Sequence, residues 1–121
     1  MSLFDDKLSL LLNHRLTWLS ARSNLMAVNI AHADIKRTTR KEIQPFHKVL
    51  KNHNALPNKN GTHAKILRIN AADTMHTKTE ISREMEMLEM SRNALEHDAI
   101  LSTVKNFHQL VRTILSMAQG G

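Results

Sequence analysis

The sequence predicts an all-α fold: two long terminal amphipathic helices packed as a coiled-coil-like hairpin and joined by an irregular basic loop. Three observations predict it. Apolar residues recur in alternating steps of four and three within Phe4–Ala33 and again within Thr79–Met117. Neither stretch contains Gly or Pro. The middle has no hydrophobic period and holds both prolines. The expected division is therefore 1–35 (N-terminal helix), 36–76 (basic loop) and 77–121 (C-terminal helix), forming one structural unit. A chain of 121 residues fills one small domain. Two helices and a loop close little core, so self-association is the expected remedy.

The first helix opens at Ser2, with Asp5 at capping-box spacing and Asp5 and Asp6 suited to the positive end of the helix dipole. Leu12, Leu16, Leu19, Met26 and Ile30 fall on one stripe, with Ser23 filling the gap. Leu8, Leu11 and Leu25 widen it. Asn29 is a polar residue on this side. It either fixes register, as a lone polar residue in a seam can, or begins the helix C-terminus together with Asp34.

From Asp34 the character changes. Lys36-Arg37-Thr38-Thr39-Arg40-Lys41 is basic and rich in β-branched residues. Pro45 and Pro57 are expected to break any helix, and Asn58-Lys59-Asn60-Gly61 reads as a turn. Ala64–Ile69 suits a short strand or a loose turn, so 36–72 is left without regular structure.

The second helix is expected to start at Thr77, with Glu80 at capping-box spacing. Ile81, Met85, Leu88 and Leu95 form its early stripe; Ile100, Val104, Phe107, Val111 and Ile114 form the later one, displaced by one residue. Glutamates gather in its first half, Lys105 and Arg112 lie in its second, and Gly120-Gly121 supplies a C-cap. The expected interface sets Leu12, Leu16, Leu19, Met26 and Ile30 against Ile100, Val104, Phe107, Val111 and Ile114. Neighbouring subunits would take up Leu8, Leu11, Leu101, Leu110 and Leu115.

Charge and composition narrow the function. The net charge of +6 is localised: residues 36–68 carry nine basic groups against Glu42, while the two ends are close to neutral. Such a middle could bind nucleic acid, but its one aromatic is Phe46, which gives bases little to stack on. A solvated loop is the plainer reading. The absence of cysteine excludes disulfides, thiolate zinc sites and cysteine nucleophiles. Eight histidines show no His-Glu-x-x-His and no pair at i, i+4, and His47, His53 and His63 have no metal-site spacing. No phosphate-binding glycine loop is present and nothing builds a pocket, so neither an enzyme nor a cofactor is expected. No apolar run of about 18 residues could span a membrane. The N-terminus starts acidic and leads into amphipathic helix, unlike a cleaved secretory signal. The chain is expected either to stay in the cytoplasm or to leave by a route that cuts no signal.

The end of the first helix reads Ala27-Val28-Asn29-Ile30-Ala31-His32-Ala33-Asp34. It resembles the Ala-x-Asn-Ile-Ala-Asn-Ala-Asp stretch of the rod and hook proteins of the bacterial flagellum. Trp18-Leu19-Ser20-Ala21-Arg22 is similar to the run-in of the proximal-rod members, and Met85–Met117 to their terminal helix. The family continues Thr-Pro-Gly-Tyr-Lys; here the chain has Ile35-Lys36-Arg37-Thr38-Thr39, and His32 stands where the family tends to have Asn. The resemblance covers both ends. It implies a structural subunit of the periplasmic rod of the flagellar basal body, transmitting torque for motility. It further implies terminal helices that polymerise as a layer around a central channel, and export through the flagellar type III apparatus without a cleaved signal. The partners so implied are other rod proteins, copies of the chain itself, the adaptor between membrane ring and rod, and the export apparatus. No nucleic acid and no membrane span are expected. The competing readings are a small basic nucleic-acid-binding protein and a cytoplasmic export adaptor.

Overall fold

The computed structural model describes residues 3–56 and 67–120, with side chains from Asp6 onward. Ser2, Pro57, the turn at 58–61 and the start of the 64–69 segment lie outside these residues. The elements are helix α1 (Leu3–Ala31), strand β1 (Thr39–Ile43), helix α2 (Phe46–Asn52), a 3-10 turn (Ala71–Asp73), strand β2 (Thr74–Glu80) and helix α3 (Arg83–Gln119). The two long helices are present, but the all-α expectation is corrected. The middle contains a two-stranded antiparallel sheet and a third helix, so the fold is not a plain two-helix hairpin joined by an irregular loop.

The physical reasons are local. β1 has no alternation of hydropathy to mark it: Arg40 and Glu42 share one face and pair with each other at 3.1 Å, while Ile43 on the other face is buried. β2 is rich in threonine, which suits strands. It pairs Ile43 with Thr74, Glu42 with Met75 and Lys41 with His76, and a bulge separates Lys41 from Thr39 opposite Glu80. The capping box expected at Thr77 and Glu80 therefore lies within a strand, where the Thr77 hydroxyl donates to the Arg40 carbonyl at 3.1 Å. The cap of α3 is Ser82 instead, whose Oγ accepts from the Met85 amide. Pro45 does not break a helix; it is the N-cap of α2, where its missing N–H costs nothing. Phe46, Val49 and Leu50 then share the face of α2 that packs inward.

The core lies between α1 and this middle segment. Trp18, Leu19, Ile43, Val49, Leu50, Ala55 and Leu67 are buried together, with Leu11, Ala21, Leu25, Phe46 and Ile69 against them. The Trp18 indole N–H donates to the Gln44 carbonyl at 2.9 Å, and its ring meets Phe46 edge-on at 6.1 Å. At the far side Asp73 is buried and holds the segment closed. Its carboxylate accepts from the Asn70 amide and lies 2.9 Å from His53 at the end of α2, while its carbonyl accepts from the Gln44 amide at 2.8 Å.

Helices α1 and α3 run antiparallel, as the pairs Arg15–Glu96, Arg22–Glu89 and Asn29–Glu86 require. Equal rise on both helices sets Leu3 level with about His108. The last two to three turns of α3 therefore project past the start of α1 described here.

Candidate assembly surface

The seam between α1 and α3 is built from polar side chains at heptad spacing. Glu86 and Asn93 are each 2 % exposed, and Ile100 continues the same row. Asn93 donates to the Leu19 carbonyl at 2.7 Å. The Glu86 carboxylate is bonded to the Arg40 guanidinium and accepts from Asn29 Nδ2 at 3.2 Å. The hydrogen bond to Glu86 raises the pKa of Arg40, against the opposing effect of its burial, with Glu42 adding to the rise. A buried carboxylate is tolerable only when paired in this way.

Asn29 ties three elements together. Its Nδ2 donates to the Lys41 carbonyl at 2.8 Å, and its Oδ1 accepts from the Lys41 amide at 2.9 Å. The last turns of α1 are thereby fixed to β1, and through Glu86 to α3. Arg15 and Arg22 stand one heptad apart on the boundary between the two buried sides of α1. Arg15 lies 4.5 Å from the Trp18 ring centre and 5.1 Å from that of Phe46, and it pairs with Glu96 at 2.7 Å. Arg22 reaches Glu42 at 3.3 Å and Glu89 at 3.4 Å.

Of the residues expected to form the interface, Leu19, Met26 and Asn29 are buried, and Leu12, Leu16 and Ile30 are half-buried. On α3, Ile100, Val104, Phe107 and Val111 are half-buried, and Ile114 is exposed. The register brings Leu12 near the level of Ile100. It sets Met26 and Ile30 at the other end of the seam, beside Glu86, and about 40 Å along the axis from Ile114. The two groups therefore do not meet as one continuous seam. The early stripe of α3 turns outward: Met85, Leu88 and Leu95 are exposed, as are Leu110, Leu115 and Met117 beyond it. Exposed apolar residues thus run nearly the whole length of α3 on its outer side and at its projecting end.

The residues that sequence reasoning missed are Arg22, Arg40, Glu86 and Asn93. One signal could have found two of them. The later stripe, followed back from Ile100 by sevens, arrives at Asn93 and Glu86 rather than at Leu95 and Leu88.

A shallow groove of about 300 Å³ between α1 and α3 is lined by Ser20, Ser23, Asn24, Asn93, His97 and Asp98, among others, and it is open to solvent. Among the described residues no three His, Asp or Glu side chains are placed to hold a metal ion, and no helix is long and apolar enough to cross a membrane. His14 is buried in α1, its Nε2 has no hydrogen-bond partner among the described residues, and burial lowers its pKa. No protein-family model matches the chain. A comparison with curated proteins gives no significant match.

Proposed function

We propose that the protein is a structural subunit of the bacterial flagellar basal-body rod, of the proximal-rod FlgB type, assembling through its terminal helices and through the exposed apolar residues of α3. The observation that carries this reading is the backbone at Arg37. Aligned on Ala27–Asp34, the family's Thr-Pro-Gly falls on Ile35-Lys36-Arg37, and Arg37 has a φ of 64°. That is the left-handed region, which favours glycine and costs an ordinary side chain about 1 kcal/mol or more. A left-handed residue thus stands at the position that aligns with the family's glycine, a residue suited to that conformation. The adjoining Asn29 of the same motif holds β1 against α1 through both of its amide atoms, which gives a motif position a defined structural task.

A rod subunit transmits load through interfaces and needs no pocket. The exposed stripe and projecting end of α3 suit that role. In this reading the protein acts in the periplasmic rod, reaches it through the flagellar export apparatus without a cleaved signal, and contacts copies of itself and other rod proteins.

The test is a clean deletion of the gene, scored for swimming and for rods in purified basal bodies, with the basal bodies probed for the protein itself. Loss of swimming and of rods, restored by the intact gene, with the protein present in the restored rods, is the expected result. Normal motility with intact rods, or rods that lack the protein, would overturn the reading.

A further inference from the structure

We propose that the chain associates head to tail with a second copy of itself, the projecting end of α3 in one copy lying along the outward face of the first half of α3 in the next. This rests on the self-association in the proposed function but not on a place in the flagellum.

The outward face lies opposite the Glu86–Asn93–Ile100 row. On it Met87, Leu88 and Leu95 are exposed, Leu95 by 70 %, and Glu84 and Asp98 stand at its two ends. The Asp98 side chain is 80 % exposed, at the rim of the groove between α1 and α3, with His97 4.0 Å away. Apolar residues framed by acids thus make one docking face, about 21 Å long.

The projecting end is its complement. Leu110, Ile114, Leu115 and Met117 are exposed there, Met117 by 72 %. Between Ala99 and Gln119 the charged residues are Lys105 and Arg112, with no carboxylate. Lys105 lies alongside the start of α1 and Arg112 within the projecting turns; Lys105 to Met117 spans about 18 Å, close to the length of the acidic-framed face.

Charge decides among the possible pairings. End against end would bring Lys105 and Arg112 of two copies together with no carboxylate on this stretch of α3 to offset them. Face against face would do the same to Glu84 and Asp98, because the nearby cations of α3 are already engaged, Arg83 by Asp34 at 2.7 Å and Arg92 by Glu89 at 3.0 Å. End against face sets cations beside anions and covers apolar surface on both copies. The two patches differ and lie on one helix, so the contact is heterologous and each added copy presents a fresh face. It propagates as an open chain rather than closing a dimer. One helix against one helix is a small interface, so association should be weak and rise with concentration.

The test uses the purified full chain in sedimentation velocity over a concentration series at low and moderate salt. The wild type should grow in mass with concentration, and less so in salt. K105E/R112E alone and E84K/D98K alone should stay monomeric, and an equimolar mixture should associate again, because each supplies the charge that the other has reversed. A wild type that is monomeric throughout, either variant associating alone as well as the wild type, or a mixture that stays monomeric, would each overturn the proposal. If a charge variant loses helix by circular dichroism, Leu95→Ser and Met117→Ser take its place; each must abolish association while the helix signal is kept. A monomeric wild type sinks this pairing alone, whereas rods without the protein sink the flagellar reading.

Discussion

Helix α1 buries two adjoining sides in opposite ways. The side holding Leu11, Trp18 and Leu25 packs against α2, Ile43 and Leu67 through apolar surface. The side holding Arg15, Leu19, Arg22, Met26 and Asn29 meets α3 largely through ion pairs and amide hydrogen bonds. Apolar contact is strong but indifferent to register, at about 1.5–3 kcal/mol for each large side chain buried. A paired polar group adds only about 1 kcal/mol net, yet it fails if displaced by a single turn. One side of α1 therefore holds the domain together, and the other fixes where α3 lies along it. Because the seam uses glutamate and asparagine, the leucines and methionines of α3 remain outside.

The comparison breaks most severely at Trp18. Trp18→Ala removes the ring that Phe46 and Arg15 lie against, and should cost about 3–5 kcal/mol in denaturant unfolding. A loss under 1 kcal/mol would mean that the apolar side is not the principal core. On the polar side, Glu86→Ala removes one partner from Arg40, which keeps Glu42, and one from Asn29, which keeps Lys41. Arg40 keeps a fifth of its side chain in water, so the cost should be about 2–4 kcal/mol, below the full value for breaking a buried pair. Replacing Glu86 and Arg40 together by methionine should recover much of that loss. If the double variant is worse than Glu86→Ala, the pair contributes stability of its own.

His14 adds a smaller dependence on pH. Its folded pKa is held below the unfolded value of 6.5 by burial, so the unfolded chain binds the proton more readily. This part of the stability is complete above pH 6.5 and is lost as the pH falls from there through the folded pKa. His14→Leu should flatten the pH dependence of the midpoint over that window; an unchanged slope would remove His14 as its source. Arg37→Gly should raise stability by about 1 kcal/mol by relieving the left-handed side chain, and a destabilised variant would put that turn in doubt. The smallest effect should come from Leu95→Ser on the outward face, within about 0.5 kcal/mol of wild type in unfolding, although association and swimming should both be lost.

The long helices were legible because their apolar steps of four and three are visible without any partner. The middle was not, for reasons that sit in particular residues. Arg40 and Glu42 alternate with the strand period, but as an ion pair, which a search for alternating hydropathy passes over. Thr77 and Glu80 match a capping box in spacing, yet Ser82 also offers a cap, and the threonines of β2 prefer extended backbone beside β1. Pro45 reads as a breaker in sequence, although proline also suits a helix start. On the assembly surface, the outward turn of Leu88 and Leu95 follows from Glu86 and Asn93 taking the inner row. Sequence reasoning gives that row to the leucines, because a buried glutamate is expected only where a partner such as Arg40 comes from elsewhere in the chain. Asn29 stood out as polar on the stripe side, but its partner, the backbone of Lys41, carries no mark in the residue letters.

That bond between Asn29 and Lys41 also limits how far the sheet can grow. An amide that gives one hydrogen bond to a peptide group and takes one from it presents the same pattern as a neighbouring strand, compressed into a single side chain. Helix α1 thus acts as a blunt third strand on the outer border of β1, where an incoming chain would otherwise find an open template. In a molecule whose α3 is free to attract other copies, this stopper closes one of the two sheet edges at which stacking of strands would compete with contact between helices.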